Sequence, residues 1–383
     1  MRAKSAHTLE TDPYRAGLAL ADQLKPLEPD VVILFSSIDY GGNEELLQAF
    51  YDVLEAPELT LIGSTGEGFL ETGKTADMGA CALGLHFDQE IRHAMAWRSG
   101  VSQHSFSATQ EMLDDLTTQL GEKPDLAILL SDFHADGTEI ERAIRQYGVP
   151  IVGGFAADDN FDMNTCYIYA NQKAQSDAIV VLGLKGPLQF DIHLAHNLEP
   201  VGKPGEVTQA DKTWLGQVDG QDAMTFVETA LGRPVSKVDQ GILTLNVLSA
   251  DNPEKKYLRS IVPDLPSDLE GFHLFGGVQK GSQIQVCMAH PEEVISEVYR
   301  VAETLERGKF KPKAGLIFSC AGRKHLLGNE IEHEVRAVRD RLGQDFSVVG
   351  FPTFGEIGPI RTQMGWTESF FHNMTYVLLL LGN

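Results

Sequence analysis

The sequence predicts an α/β protein of two domains, with mixed sheets built from repeated strand–helix–strand units. Three observations predict it. Short continuous apolar runs of buried-strand length recur along the chain, each followed by a stretch of helical periodicity. Each such pair leads to a second short strand and a glycine-rich block. Each block is then followed by another apolar strand with a similar ending. Strands that alternate with helices favour βαβ crossovers, and hence parallel pairing within each unit.

The first unit begins at Val31–Ser37 (VVILFSS). Apolar residues at Leu46, Leu47, Phe50, Val53 and Leu54 mark its helix, and Ile62-Gly63-Ser64-Thr65-Gly66-Glu67-Gly68 its glycine block. The second begins at Ala127–Ser131, continues through a helix around Glu139–Tyr147 and reaches Pro150-Ile151-Val152-Gly153-Gly154. The third runs from Gly315–Cys320 through a helix over Leu327–Leu342 to the block Val348–Gly358. Trailing strands end in Gly84-Leu85, Gly183-Leu184 and Leu381-Gly382, and are expected not to be parallel. Ahead of the first unit, residues up to about Leu27 hold one amphipathic helix. Between the second and third units, Ile192–Thr208 and Tyr257–His290 look like hairpins, with helices at Gln221–Leu231 and Glu292–Glu306 that stop at Gly232 and Gly308. The Pro/Gly-rich stretch Glu199–Gly205 is the expected domain boundary, separating 1–200 from 205–383.

Bulk composition excludes several function classes. The chain has 383 residues, 43% of them hydrophobic, and carries 54 acidic against 31 basic side chains for a net charge of −23. Such a surface repels phosphate backbones and anionic lipids, so neither nucleic acid nor a membrane surface is an expected partner. Four scattered cysteines, Cys81, Cys166, Cys287 and Cys320, form no CxxC pair, which suits a reducing compartment and no disulfide framework. With no signal-peptide-like N-terminus and no apolar run long enough to span a bilayer, the expected location is the cytoplasm.

Familiar catalytic and metal motifs are missing. The glycines at 63–68 lack the GK[ST] of a phosphate-binding loop and read as turn formers; there is no HExxH, GxSxG or CxxCH. His193 and His196, three apart on a strand-like segment, should point to opposite faces. His333 lies off the stripe Leu327, Ile331, Val335, Val338 and Leu342, which predicts a solvated ring. Non-covalent haem through one axial histidine stays open.

Ligands of open α/β sheets gather beyond the carboxyl ends of the parallel strands. There the third unit is richest. Cys320 ends a strand, Arg323 sits at a helix start, Glu356 lies between Gly355 and Gly358, and His372-Asn373 precede the last strand. A guanidinium, a carboxylate, a thiol and an imidazole meeting there would suit a zwitterion such as an amino acid. Cys320, Arg323, Gly355, Glu356, His372 and Asn373 are therefore the candidate ligand-binding residues. Each also has a plain structural reading: Arg323 pairing with Glu356, Cys320 as an inert strand residue, His372 as a hydrogen-bonded core histidine. The enzymatic alternative is acyl or amide transfer with Cys320 as nucleophile, His372 as base and Glu356 as its orienter.

Phe318-Ser319-Cys320-Ala321-Gly322-Arg323, Gly350-Phe351-Pro352-Thr353-Phe354-Gly355-Glu356-Ile357-Gly358-Pro359 and His372-Asn373-Met374-Thr375 resemble the signature blocks of the FIST C-terminal domain. Ile33–Ser37 with Ile62-Gly63-Ser64-Thr65-Gly66-Glu67 resembles the FIST N-terminal domain. The resemblance implies a sensory module of signal transduction that binds small ligands such as amino acids. In one branch of the family it implies haem b and nitric-oxide sensing, with control of a partner histidine kinase or a cyclic-di-GMP enzyme. Output through a separate protein is the expectation, with a homodimer among the oligomeric states left open. Two stretches depart from the family pattern: the Gly63 block lacks the usual Cys and Ala, and Phe351–Phe354 replaces a more tyrosine-rich run.

Overall fold

A computed structural model describes residues 1–87, 90–159, 165–236, 239, 242–250, 256–262, 271–305, 310–362 and 365–382. Three of its four sheets follow one plan. In unit one, Val31–Ser37 pairs in parallel with Thr60–Gly66, and Ala80–His86 returns antiparallel beside the first strand. Leu126–Ser131, Ile151–Phe155 and Ala178–Lys185 repeat this in unit two. Pro312–Cys320, Ser347–Thr353 and Tyr376–Gly382 repeat it in unit three. An outer strand lines each returning strand: Arg2–Thr8, Arg92–Ser99 and Gln189–Ala195.

The far edge of each sheet is closed by a hairpin borrowed from another unit. Phe69–Glu71 and Lys74–Ala76, which leave the glycine block of unit one, pair onto unit three. Ile168–Ala170 and Lys173–Gln175 of unit two close unit one. Glu356–Thr362 and Gly365–His372 of unit three close unit two. The exchange is cyclic, so the far edge of each unit's parallel pair is covered by its neighbour's hairpin.

The register is equivalent at all three joints. Leu70, Tyr169 and Ile357 face Gly350, Gly63 and Gly153 respectively. Gly63, expected from sequence to form a turn, is a strand residue, as are Gly153 and Gly350, whereas Gly68, at φ +86°, does sit in the bend that follows. A Cβ at Gly63, Gly153 or Gly350 would stand 2.0, 1.7 or 2.2 Å from the carbonyl oxygen of Leu34, Leu129 or Ile317 on the adjacent parallel strand. Only a hydrogen fits there.

Alternation along the strands explains their unbroken apolar runs. Val31, Ile33 and Phe35, Leu126, Ile128 and Leu130, and Ala314, Leu316 and Phe318 all point into one central core. Their intervening neighbours face helices on the outside: Val32 and Leu34 meet Pro13–Leu24 and Glu45–Leu54. Ala127 and Leu129 meet Val101–Leu120 and Gly137–Tyr147. Ile317 meets Pro291–Thr304 and His333–Leu342. With both faces buried, polar alternation has no place.

The fourth sheet lies between units two and three and has its own core around Val207, Leu215, Leu245 and Ile284, covered by the helix Ala223–Leu231. Glu199–Gly205 falls inside its long strand Leu198–Asp211, at an irregularity in register between Val201 and Gly205. In the hairpin-like stretch Tyr257–His290, residues 263–270 lie outside the described residues, as does Gly308, the expected stop of the helix Pro291–Thr304.

One expected helix is broken. Instead of running continuously to Leu342, the chain forms Ala321–Leu327, a 3₁₀ turn over Gly328–Glu332 and His333–Leu342, because Gly328-Asn329 are poor helix formers. The break turns His333 toward Tyr299, whose hydroxyl lies 2.9 Å from its Nδ1, so the ring is half-buried and partnered rather than solvated.

Candidate functional site

A cavity of about 630 Å³ opens at the carboxyl end of the unit-three strands. Its walls come from every part of the fold. Unit three supplies Cys320 at the strand end, Lys324 and His325 on the helix that follows, Thr353 and Phe354 after the parallel partner, and Asn373. Unit one contributes Glu67 and its exchanged hairpin from Phe69 to Met78; unit two contributes Asp158 and Asp159; the inserted sheet contributes Ser260 and Phe275. The volume lies within the roughly 300–1,000 Å³ of small-molecule pockets.

Charge gathers on one side of the lining. Lys324 Nζ donates to the Glu67 carbonyl oxygen at 2.6 Å and lies 3.0 Å from Asp77 Oδ1 and 3.2 Å from Asp159 Oδ1. His325 Nε2 lies 3.0 Å from Glu67 Oε2, and that contact raises the imidazole pKa above its ordinary value. Burial pushes the Asp159 carboxyl up to about 6 although Lys324 opposes the shift. Burial alone would lower the Lys324 pKa, but Asp159, Asp77 and Glu67 together hold it above its ordinary value.

Of the six residues singled out from sequence, Cys320 and Asn373 line the cavity; Arg323, Gly355, Glu356 and His372 are not among its lining residues. The predicted pairing of Arg323 with Glu356 is replaced by another. Arg323 is fully buried, and its Nε donates to Glu334 Oε1 at 2.7 Å, because the helix His333–Leu342 brings Glu334 over the strand end. Glu356 instead accepts from Thr353 Oγ1 at 2.6 Å, Thr375 N at 3.0 Å and Thr375 Oγ1 at 2.8 Å. Gly355, at φ +150°, packs where a Cβ would meet the Phe371 ring at 2.3 Å. His372 donates from Nε2 to the Gly358 carbonyl at 3.0 Å, and burial lowers its pKa to about 4, leaving a neutral ring.

The parts of a cysteine nucleophile are not brought together. Burial, with Glu356 nearby, pushes the Cys320 thiol well up, whereas a nucleophile needs the thiolate. The thiol is hydrogen-bonded by the backbone of Met374 and Gly322, while His372, the base of that alternative, is held by the Gly358 carbonyl. Cys81, Cys166, Cys287 and Cys320 are all free and buried. Among the described residues no group of three His, Cys, Asp or Glu side chains could hold a metal ion, and no helix is long and apolar enough to cross a membrane.

Glu356 makes a pH test possible. Burial raises its pKa to about 8 against the three hydrogen bonds that favour the anion. The folded state therefore holds a proton that the unfolded chain releases above the ordinary carboxyl range. The resulting stability is complete below about pH 4.5 and is lost as pH rises toward 8. Urea midpoints taken between pH 5 and 8 should fall more steeply for the wild type than for Glu356→Gln, which is neutral throughout. Parallel slopes would show that Glu356 is ionised in the folded protein.

The sequence signalled the acceptors around Lys324 poorly. Glu67 stands in a recognised glycine block, but Asp77, just past the exchanged hairpin, and Asp159, past the strand Ile151–Phe155, lie on segments with no motif. Comparison with known proteins gives the same family for both halves. The FIST N domain model matches residues 30–221 and the FIST C domain model matches residues 209–359. The chain is also 26% identical over 231 residues to the uncharacterized protein MJ1623 of Methanocaldococcus jannaschii, a match covering 57% of this chain and 44% of that protein. The chain thus spans under half the length of that relative. FIST domains are generally small-ligand sensing domains of signal transduction. With family models matched over residues 30–221 and 209–359, together nearly the whole chain, this chain belongs to the FIST family.

Proposed function

We propose that the chain is a sensor whose small ligand, amino-acid-like in size and polarity, occupies the cavity beyond Cys320, and whose occupancy is read by a separate partner such as a histidine kinase or a cyclic-di-GMP enzyme. The observation that carries this reading is the composition of the walls. Three units and the inserted sheet all reach the same cavity, so a ligand there touches every packed body of the fold at once. A ligand can shift an equilibrium only by its different affinity for two arrangements, and a shared cavity supplies contacts that change with any of them.

Haem b fits this lining poorly. His325 is the one histidine among the lining residues, and its Nε2 already faces Glu67. His372 is committed to Gly358, and His193 Nε2 lies 3.1 Å from Asp191 Oδ2 and is not among the lining residues. Haem propionates would also meet the carboxylates of Glu67, Asp77 and Asp159. The lining favours the amino-acid-like alternative.

Freshly purified protein should show no Soret band, and native mass spectrometry or a ligand screen should identify a small polar molecule. At a hundredfold excess over its Kd that molecule should stabilise the fold by about 2.7 kcal/mol. A Soret band that shifts with nitric oxide would overturn this choice in favour of the haem branch.

A further inference from the structure

We infer that the ligand is a small organic cation, a primary amine that also carries a hydrogen-bond acceptor, and that its ammonium takes the seat now held by Lys324. This rests on the cavity being the sensing site and specifies the chemistry it selects.

The seat is already an ammonium site. Three acceptors surround Lys324 Nζ, the Glu67 carbonyl, Asp77 Oδ1 and Asp159 Oδ1, matching the three donors of a protonated amine. The cation comes from unit three, and the acceptors come from units one and two. A ligand ammonium can bind the same acceptors once the flexible lysine side chain swings outward, and the tie between units is then released.

Charge on the lining points the same way. Five carboxylates, Asp39, Glu67, Asp77, Asp158 and Asp159, stand against one lysine and one histidine. A concave site walled by one sign of charge concentrates ions of the other. The raised Asp159 pKa agrees, since its carboxyl is desolvated more than its neighbouring cation compensates.

An independent observation places the other end of the ligand. Asn373 is 1% exposed and lines the cavity. Its Oδ1 accepts from Ser260 N at 3.0 Å, which fixes the orientation of the amide. Among the described residues no hydrogen bond uses its Nδ2, so this donor on the cavity lining is open to a ligand acceptor. Phe275 and Phe354 supply apolar surface on the same lining. Ammonium, apolar body and carbonyl oxygen is the order these groups recognise.

The test uses two probes that share the leucine side chain and carry opposite charge, L-leucinamide and N-acetyl-L-leucine, titrated calorimetrically into the full chain. Leucinamide should bind at least about tenfold more tightly and weaken as salt rises. Lys324→Met should tighten leucinamide several-fold by removing its competitor, and Asp159→Asn should weaken it. The inference is overturned if N-acetyl-leucine binds as tightly or more so, if Lys324→Met weakens leucinamide, or if neither probe binds below roughly 10 mM. Thr75→Trp, on the lining and half-exposed, with its folding checked by a melting curve, separates the two levels. Should it abolish tight N-acetyl-leucine binding, the cavity remains the site and the cation preference alone is wrong. Leucinamide binding that survives Thr75→Trp lies outside the cavity, and the sensing-site reading fails as well.

Discussion

Arg323→Met should destabilise the protein by about 3–5 kcal/mol, read as a lowered urea midpoint, while the double variant R323M/E334L should recover most of that loss. Arg323 is 0% exposed and its Nε is paired with Glu334 Oε1, yet among the described residues both buried Nη atoms and Glu334 Oε2 have no hydrogen-bond partner. The guanidinium also lies over the Tyr376 ring, 5.8 Å from its centroid, and the Tyr376 hydroxyl donates to the Glu334 carbonyl. Removing the cation alone strands a carboxylate in the core, and its desolvation is then uncompensated. Replacing both members with apolar side chains removes that penalty, and the incomplete hydrogen bonding of the wild-type pair makes the exchange nearly neutral. A double variant as unstable as the single one would show that the guanidinium stabilises the core through packing over Tyr376 instead.

Gly153→Ala should cost more than about 4 kcal/mol, a loss large enough to lower the yield of folded protein. The added Cβ would lie 1.7 Å from the Leu129 carbonyl oxygen, far inside contact distance, and the parallel strands would have to separate where Ile357 of the exchanged hairpin joins. Gly63→Ala and Gly350→Ala meet the same obstacle at 2.0 and 2.2 Å. Gly73→Ala is the control: its Cβ would find only a Glu71 side-chain oxygen at 3.6 Å, and the change should cost under about 1 kcal/mol. Equal midpoints for Gly153→Ala and Gly73→Ala would mean that the three joints tolerate a wider spacing than the structure shows.

Much of the scaffold is legible in one dimension because it depends on local pattern. The runs at Val31, Ala127 and Gly315 are apolar at every position since each strand is covered on both faces, so continuity alone identifies them. The helix at Gly137–Tyr147 carries its start signal in Asp136, whose side chain accepts from the backbone of Thr138 and Glu139. The parallel pairs and the antiparallel returning strands also follow from the alternation of elements. The glycine block at 63–68 was visible, but reading Gly63 as a turn former mistook a requirement for close strand approach. A missing Cβ looks the same in sequence whether it serves a turn or a tight joint.

The site divides along the same line. Cys320 and Asn373 could be placed at the cavity from the chain itself, because the clefts of α/β sheets open beyond their strand ends wherever the sheet is built. Arg323 could not be assigned its partner, since Glu334 becomes its neighbour only when the broken helix folds back over the strand. Asp77 was out of reach for a stronger reason. The hairpin that carries unit one into unit three has paired segments of only three residues, too short for periodicity to register, and nothing local says which sheet it will join. Composition and spacing thus determine that three similar units exist and which faces they bury. Which unit lends its hairpin to which, and therefore which acceptors surround Lys324, is settled by packing between segments hundreds of residues apart.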